Sequence, residues 1–205
     1  MTREEFDRQF LTNGIRFLAG VDEAGRGPLA GAVYAAAVIL PPGFYMEEIN
    51  DSKKLTDKKR EALFPVIQEQ ALAYSIASVD EKTIDEINIL NATMLAMRRA
   101  IEGLSIRPDM ILIDGNISRD LPQPNQCVKK GDSLSQSIAA ASILAKVARD
   151  HYCRDVLEEA YPQYHFAKHK GYGSQLHRDL LKELGPCPVH RKTFLRKILG
   201  ETVTQ

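Results

Sequence analysis

Two short apolar runs in this chain end in the same way. The run at 17–21 (FLAGV) leads into Asp22-Glu23, and the run at 110–113 (MILI) leads into Asp114-Gly115. Runs of this length bounded by polar turns read as buried strands. In open α/β sheets, ligand sites gather at the carboxyl ends of strands. If the two strands lie side by side their acids meet, and close carboxylates repel one another unless a cation sits between them. A third acidic position, Asp132, stands just ahead of a long alanine-rich stretch. Oxygen ligands of this kind suit Mg2+ or Mn2+. Each acid also has an ordinary reading: Asp22 and Asp114 as loop residues, Glu23 as a solvated turn residue, Asp132 as a helix cap.

The remaining periodicities fill in a mixed α/β domain. A second apolar run at 32–40 follows the turn Gly25-Arg26-Gly27-Pro28, so the two runs read as a hairpin. Thr56 is placed to cap a helix reaching about Gln70, with Leu63, Val66 and Ile67 inward. Residues 71–79 alternate as a third strand. Residues 83–103 carry apolar side chains at helical spacing, with Asn88 and Asn91 as candidate breaks. A Pro-rich loop at 117–126 precedes a last strand near 126–129. The stretch 133–160 reads as one long helix whose small side chains allow close approach to a sheet. A His/Lys/Gly loop, a helix near 174–184 and a short final helix complete the chain. With 205 residues, one domain is expected: a core over about 15–160 and a basic helical extension over about 161–205.

Charge is informative only in its distribution. The net charge is zero, yet residues 165–197 hold eight Lys/Arg against two acids, together with four of the five histidines. A basic end beside an acidic body suits a polyanion bound next to a carboxylate site. Cys127, Cys153 and Cys187 are widely spaced, form no CxxC pair and read as free thiols. The charged start, MTREEFDRQF, has no apolar signal core, and no run approaches membrane-spanning length, so a cytoplasmic protein is expected.

Gly25-Arg26-Gly27-Pro28-Leu29-Ala30 matches the G-x-G-x-x-A pattern of dinucleotide sites. That pattern requires a helix to open at the glycines, so that its N-terminus faces the pyrophosphate. The valines and isoleucine that follow favour a strand instead. A glycine turn whose N–H groups approach a phosphate backbone fits better.

Taken together, the motifs resemble a known family. Gly20-Val21-Asp22-Glu23-Ala24-Gly25-Arg26-Gly27-Pro28 is similar to the N-terminal signature of the bacterial type 2 ribonucleases H, the ribonuclease HII family. Also similar are Asp51-Ser52-Lys53-Lys54-Leu55, Ile113-Asp114-Gly115-Asn116, Lys130-Gly131-Asp132 and the run AAASILAKVARD at 139–150. So are His169-Lys170-Gly171-Tyr172-Gly173 with the later His177, and His190-Arg191-Lys192-Thr193-Phe194. The matches run in order from about residue 20 to 194. The last departs mildly from the more usual His-Arg-Arg-Ser-Phe.

The resemblance implies a ribonuclease H-like fold, a mixed central sheet flanked by helices with a helical C-terminal extension. It implies an endonuclease that hydrolyses the RNA strand of RNA–DNA hybrids and nicks 5′ of single ribonucleotides in duplex DNA, leaving 5′-phosphate and 3′-hydroxyl ends. Asp22, Glu23, Asp114 and Asp132 would be the catalytic acids and metal ligands. Asp22 and Asp114 would form the core, with Glu23 and Asp132 completing two positions for Mn2+ or Mg2+. The Gly25-Arg26-Gly27 backbone and Tyr172 would contact the junction ribonucleotide. Lys53, Lys54, Lys146, Lys168, Lys170 and Arg191 are candidates for phosphate contact, against the ordinary reading of solvated lysines. The family implies a monomer, and nothing in the sequence specifies a protein partner. The third type of ribonuclease H is a weaker match, since only about 16 residues precede the first strand here and that type usually carries an extra N-terminal domain. A non-catalytic nucleic-acid-binding protein on the same fold is expected to lack at least one acid, and all four are present.

Overall fold

Five strands form one mixed sheet: β1 (Leu18–Ala24), β2 (Val33–Ile39), β3 (Ala73–Val79), β4 (Met110–Asp114) and β5 (Asn125–Val128), in the spatial order β3-β2-β1-β4-β5. β1 pairs antiparallel with β2, and β2 with β3. β1 pairs parallel with β4, and β4 with β5. The sheet is thus antiparallel on one side of β1 and parallel on the other. The helices are α1 (Arg3–Arg8), α2 (Asp57–Gln70), α3 (Glu81–Glu102), α4 (Gly131–Leu134), α5 (Gln136–His151), α6 (Glu158–Ala160), α7 (Phe166–His169), α8 (Gln175–Leu184) and α9 (Lys192–Leu199). This computed structural model describes residues 1–121 and 123–200, with all their side chains except that of Lys197. Pro122 of the expected Pro-rich loop and the closing residues 201–205 lie outside the described residues.

Strand alternation sorts the core into two layers. Ala19 and Val21 of β1, Ala35, Ala37 and Ile39 of β2, and Ile111 and Ile113 of β4 pack with Ala92, Ala96, Met97 and Ala100 of α3. The opposite parity, Ala36 and Val38, packs with Leu63 and Ile67 of α2 and with the alanines of α5. Those alanines let α5 settle directly on β1. At Gly20 there is no room even for a Cβ, which would overlap the Ser137 carbonyl. The contact fixes the N-terminal end of α5 over the middle of β1. Asp7 of α1 secures that end from outside, its buried carboxylate accepting from the Ser137 N–H and from Ser137 Oγ, both at 2.8 Å. An anionic side chain there also complements the helix dipole.

The elements differ from the sequence reading in three places. β1 does not stop before the acids. It continues through Asp22 and Glu23 because β2 still offers partners, Ala36 and Ala35. The expected helix over 133–160 is divided: Ser135 is extended (φ −108°, ψ 132°) and caps α5 by accepting from the Ile138 N–H. Asp132 therefore belongs to the separate turn α4, and the end of the stretch is π-helical over Tyr152–Leu157. α3 begins at Glu81 behind an Asp80 cap and kinks at Asn88 (φ 67°), whose Oδ1 accepts from the Asn91 N–H. Asn88 is the break, and Asn91 lies in the first turn after it.

The C-terminal elements are knitted to the turn that follows β1. Leu29 N–H donates to the Gly171 carbonyl, Gly31 N–H to Val189, and Arg191 N–H to Leu29, each at 2.8 Å. The three cysteines are unpaired. Among the described residues no helix is long and apolar enough to cross a membrane.

Candidate active site

The parallel pairing of β1 and β4 brings the first two acids together. Val21 lies opposite Ile113, so the next residues, Asp22 and Asp114, stand side by side at the carboxyl ends of their strands. Leu18 and Leu112, of the same parity, pack against Ile138 of α5, which places both aspartates on the α5 side of the sheet. α4 then delivers Asp132 from above. One oxygen from each of Asp22, Asp114 and Asp132 lies within 4.8 Å of the other two. Asp114 is held by the Gly131 N–H, which donates to its Oδ1 at 2.7 Å. Asp22 is 4% exposed and accepts from the Glu23 N–H at 2.7 Å.

Three carboxylates this close, two of them buried, are poorly compensated by the protein. Burial, then the charges of Glu23 and Asp114, pushes Asp22 well above the ordinary aspartate range. Burial and the Asp114 charge also raise Asp132. The Lys53 ammonium lies 3.8 Å from Asp132 Oδ2. Burial works against its charge, but Asp132, Asp22 and Asp51 outweigh burial and hold Lys53 above the usual lysine range. An all-oxygen donor set with excess negative charge fits hard divalent cations.

Glu23 is close enough for its charge to act on Asp22 but is not one of the three clustered carboxylates. Strand alternation turns it away from Asp22, and its Oε1 lies 3.3 Å from Arg26 Nη1. Burial raises its carboxyl, with Arg26 pulling the other way. The pair ties the acidic strand end to the loop that follows, where Arg26 and Gly27 are exposed. Tyr172 lies across that loop. A Cβ on Gly27 would sit 3.9 Å from its Cε1, and the tyrosine is 43% exposed. The structure thus brings Gly25, Arg26, Gly27 and Tyr172 together, although about 145 residues separate them. After Gly31 the chain enters strand β2 and no helix opens, so the turn lacks the helix N-terminus that a dinucleotide site needs.

The cationic candidates divide by environment. Lys53 and Lys54 are exposed on a short turn beside Asp132, with Lys54 Nζ 3.3 Å from Ser133 Oγ. Buried Ser52 anchors that turn: its hydroxyl accepts from Ser142 Oγ at 2.7 Å, and its carbonyl accepts from Arg60 at 2.6 Å. Lys168 is exposed and Lys170 half-buried. Lys146 is committed to Asp150, with Nζ at 2.6 and 2.8 Å from the two carboxylate oxygens. For Arg191, the expected phosphate contact is corrected. The residue is completely buried and donates to the carbonyls of Gly25, Arg26, Pro28 and Gly31 at 2.7–3.0 Å. Its guanidinium shapes the glycine turn from behind, because five fixed donors can gather several carbonyls at once.

Sequence reading missed Arg149, which is also buried against this turn. Its signal was a charge on the inner side of an otherwise apolar helix. The four C-terminal histidines accompany a basic segment in the sequence, but His177 and His190 are buried and bonded to one another, Nε2 to Nε2 at 2.9 Å.

Comparison with known proteins agrees with this arrangement. The family model described as Ribonuclease HII matches residues 19–197. A ribonuclease HII of Caldicellulosiruptor saccharolyticus is 55% identical over 195 residues, covering 95% of each chain. One from Aliivibrio fischeri is 55% identical over 189 residues, covering 91% of each. Among solved structures, the ribonuclease H2 of Pyrococcus horikoshii superposes with a TM-score of 0.73 at 27% identity, covering 91% of this chain and 98% of that one. The matched span contains all four acids, the glycine turn and Tyr172, and on these grounds the chain belongs to the ribonuclease HII family.

Proposed function

We propose that this chain is a metal-dependent endonuclease that cuts the RNA strand of RNA–DNA hybrids and nicks duplex DNA 5′ of a single embedded ribonucleotide, so that ribonucleotides can be removed from DNA. The observation that carries the reading is the junction of two features. An aspartate triad, two of its members buried, gathers at the carboxyl ends of β1 and β4, and the residues just after β1 form a glycine turn, exposed at Arg26 and Gly27, under an exposed tyrosine.

Asp22, Asp114 and Asp132, with Glu23 beside them, would hold two divalent ions, Mn2+ or Mg2+. Such ions, when bound, supply water activation and charge stabilisation at the leaving oxygen of an in-line displacement. The protein's own part is positional. Gly131 N–H fixes the rotamer of Asp114, and the strand pairing sets its distance from Asp22. Peptide N–H groups of Gly25-Arg26-Gly27 and the ring of Tyr172 face the ribose whose 2′-hydroxyl distinguishes RNA from DNA. Lys53 and Lys54 lie on the phosphate side of the triad. Attack by water leaves a 5′-phosphate and a 3′-hydroxyl, and the 2′-hydroxyl is read rather than used. The histidines suit this chemistry, since His177 and His190 are buried behind the Tyr172 turn rather than presented to substrate.

The test is a labelled DNA duplex carrying one ribonucleotide, incubated with Mg2+, Mn2+ or EDTA beside an all-DNA duplex and an Asp114→Asn enzyme. A metal-dependent nick on the 5′ side of the ribonucleotide, absent from both controls, is expected. Cleavage of long hybrids alone would remove Tyr172 from its assigned role. A folded protein that binds the duplex with metal and cuts nothing would be a binding protein on this fold.

A further inference from the structure

Arg149 projects from α5 into the seam between the glycine turn and the Tyr172 turn. It is 1% exposed. Its Nε donates to the Ala32 carbonyl at 3.2 Å and its Nη2 to the Ala30 carbonyl at 3.3 Å, both on the chain that leaves the glycine turn. Its Nη1 donates to the Lys170 carbonyl at 3.0 Å, on the other side of the seam. The same guanidinium lies under Tyr172, its carbon 5.6 Å from the ring centroid. One planar group therefore touches both turns and the tyrosine.

The backbone has made room for it. Gly25 has φ +94°, and a Cβ there would collide with Arg149 Nε and Cδ. Gly171 has φ +78°, and a Cβ there would lie 2.6 Å from the Ala30 carbonyl oxygen and 3.5 Å from Arg149 Nη2. Left-handed backbone and lack of a side chain coincide at both places, which only glycine tolerates without strain. A buried charge answered, among the described residues, by carbonyl oxygens and a ring face is an expensive way to fasten two loops, and an apolar residue would fill the seam with less desolvation. What an apolar residue lacks is the fork, which sets distance and angle on both sides together.

We propose that Arg149 is a positioning residue for ribonucleotide recognition, locking the Gly25-Arg26-Gly27 turn and Tyr172 into one preset reader. The inference rests on the reading of Tyr172 given above and goes beyond it by naming what fixes the tyrosine relative to the turn. Recognition of one 2′-hydroxyl depends on that spacing. A long hybrid offers a 2′-hydroxyl at every step of its RNA strand, so displacement of the reader matters less there.

The experiment compares kcat/KM of the full-length enzyme on a duplex with one ribonucleotide and on a long RNA–DNA hybrid. The variants are Arg149→Lys, which keeps the charge but loses the fork, and Tyr172→Ala. Melting temperature is recorded for each, and assays run well below it. Arg149→Lys is expected to lose on the order of 10- to 100-fold on the single-ribonucleotide duplex, the scale of a misplacement approaching 1 Å, and only about threefold or less on the hybrid. Gly171→Ala leaves the guanidinium intact while crowding the same seam, and it is expected to show the same selectivity; it carries the test should Arg149→Lys not fold. Equal losses on the two duplexes, or none on either, overturn the inference, while a selective defect in Tyr172→Ala leaves the reading beneath it standing. A Tyr172→Ala enzyme with unchanged selectivity overturns that reading and the inference together.

Discussion

At the scale of single residues, the site stores electrostatic conflict. One oxygen from each of Asp22, Asp114 and Asp132 lies within 4.8 Å of the other two, with strand register and a backbone hydrogen bond setting the positions of Asp22 and Asp114. Asp22→Asn removes one of these charges without changing volume, and its amide can donate to a neighbouring carboxylate. The metal-free variant should be more stable than the metal-free parent by about 1–2 kcal/mol, the order of a like-charge interaction in a partly dry site. Added Mg2+ should raise the melting temperature of the parent strongly and of the variant weakly. Activity should fall by roughly 100-fold or more, since loss of a ligand forfeits several kcal/mol of transition-state stabilisation. Melting curves with and without Mg2+, read beside a cleavage assay, check both halves. A variant less stable than its parent without metal would mean that the carboxylates are better compensated than the geometry indicates. Arg191 gives the opposite kind of prediction. Arg191→Met leaves the Gly25, Arg26, Pro28 and Gly31 carbonyls without their buried donors and should cost on the order of 3 kcal/mol in chemical denaturation.

At the scale of elements, the histidines that hold the Tyr172 turn form an ordered chain of neutral groups. The Cys187 N–H donates to His190 Nδ1 at 3.0 Å, so the His190 proton belongs on Nε2, which donates to His177 Nε2 at 2.9 Å. That leaves His177 Nδ1–H to donate to the Tyr172 carbonyl at 2.9 Å. A proton added to His177 puts two donors face to face at the contact between the rings. Burial, then the mutual effect of the two rings, pushes His190 down to about 4, and burial likewise pushes His177 to about 4. In the unfolded chain both titrate near 6.5, so the unfolded state binds more protons below that pH. Their contribution is therefore complete above about pH 6.5 and drains away as pH falls towards 4, by roughly 3 kcal/mol for one such group. Buried Asp7 and Asp22, which are raised, pull the other way. The check is consequently a difference: stability from urea midpoints at pH 7.5 and 4.5 should fall less in His177→Gln than in the parent. Equal falls would show that the relay does not titrate with folding. The chain announced some of these elements and hid others, for identifiable reasons. Strands were legible because apolar runs stop at turns, and the Asp22 and Asp114 pairing because both runs stop at an acid. The division of the alanine-rich helix at Ser135 was missed although Ser135 is a good capping residue, because the alanines after it dominate the helical pattern. The buried guanidiniums were hidden for a different reason. Their carbonyl partners lie up to 166 residues away and carry no side-chain signature.

At the scale of the molecule, a chain with zero net charge must bind a polyanion through the placement of its charges. Arg26, Lys53 and Lys54 are exposed around the triad and Lys168 is exposed near the Tyr172 turn, whereas Lys146 is paired and Arg191 is buried. Position in the sequence alone therefore does not say which cations are available to phosphate. Removing one cation from a phosphate should lower the slope of log affinity against log salt by about 0.7–0.9. Replacing both Lys53 and Lys54 with alanine should reduce that slope by roughly one to two on an RNA–DNA hybrid. Replacing Arg191 with methionine should leave it unchanged while lowering the melting temperature. The measurement is fluorescence polarisation of a labelled hybrid with the Asp114→Asn enzyme, titrated at several salt concentrations, so that binding is read without cleavage. A slope that drops for Arg191 and stays for the lysine pair would reverse the assignment and place the phosphate track along the C-terminal segment. The expected result places the track over the 52–54 turn, beside Asp132, so that the phosphates pass the carboxylates while the ribose faces Tyr172.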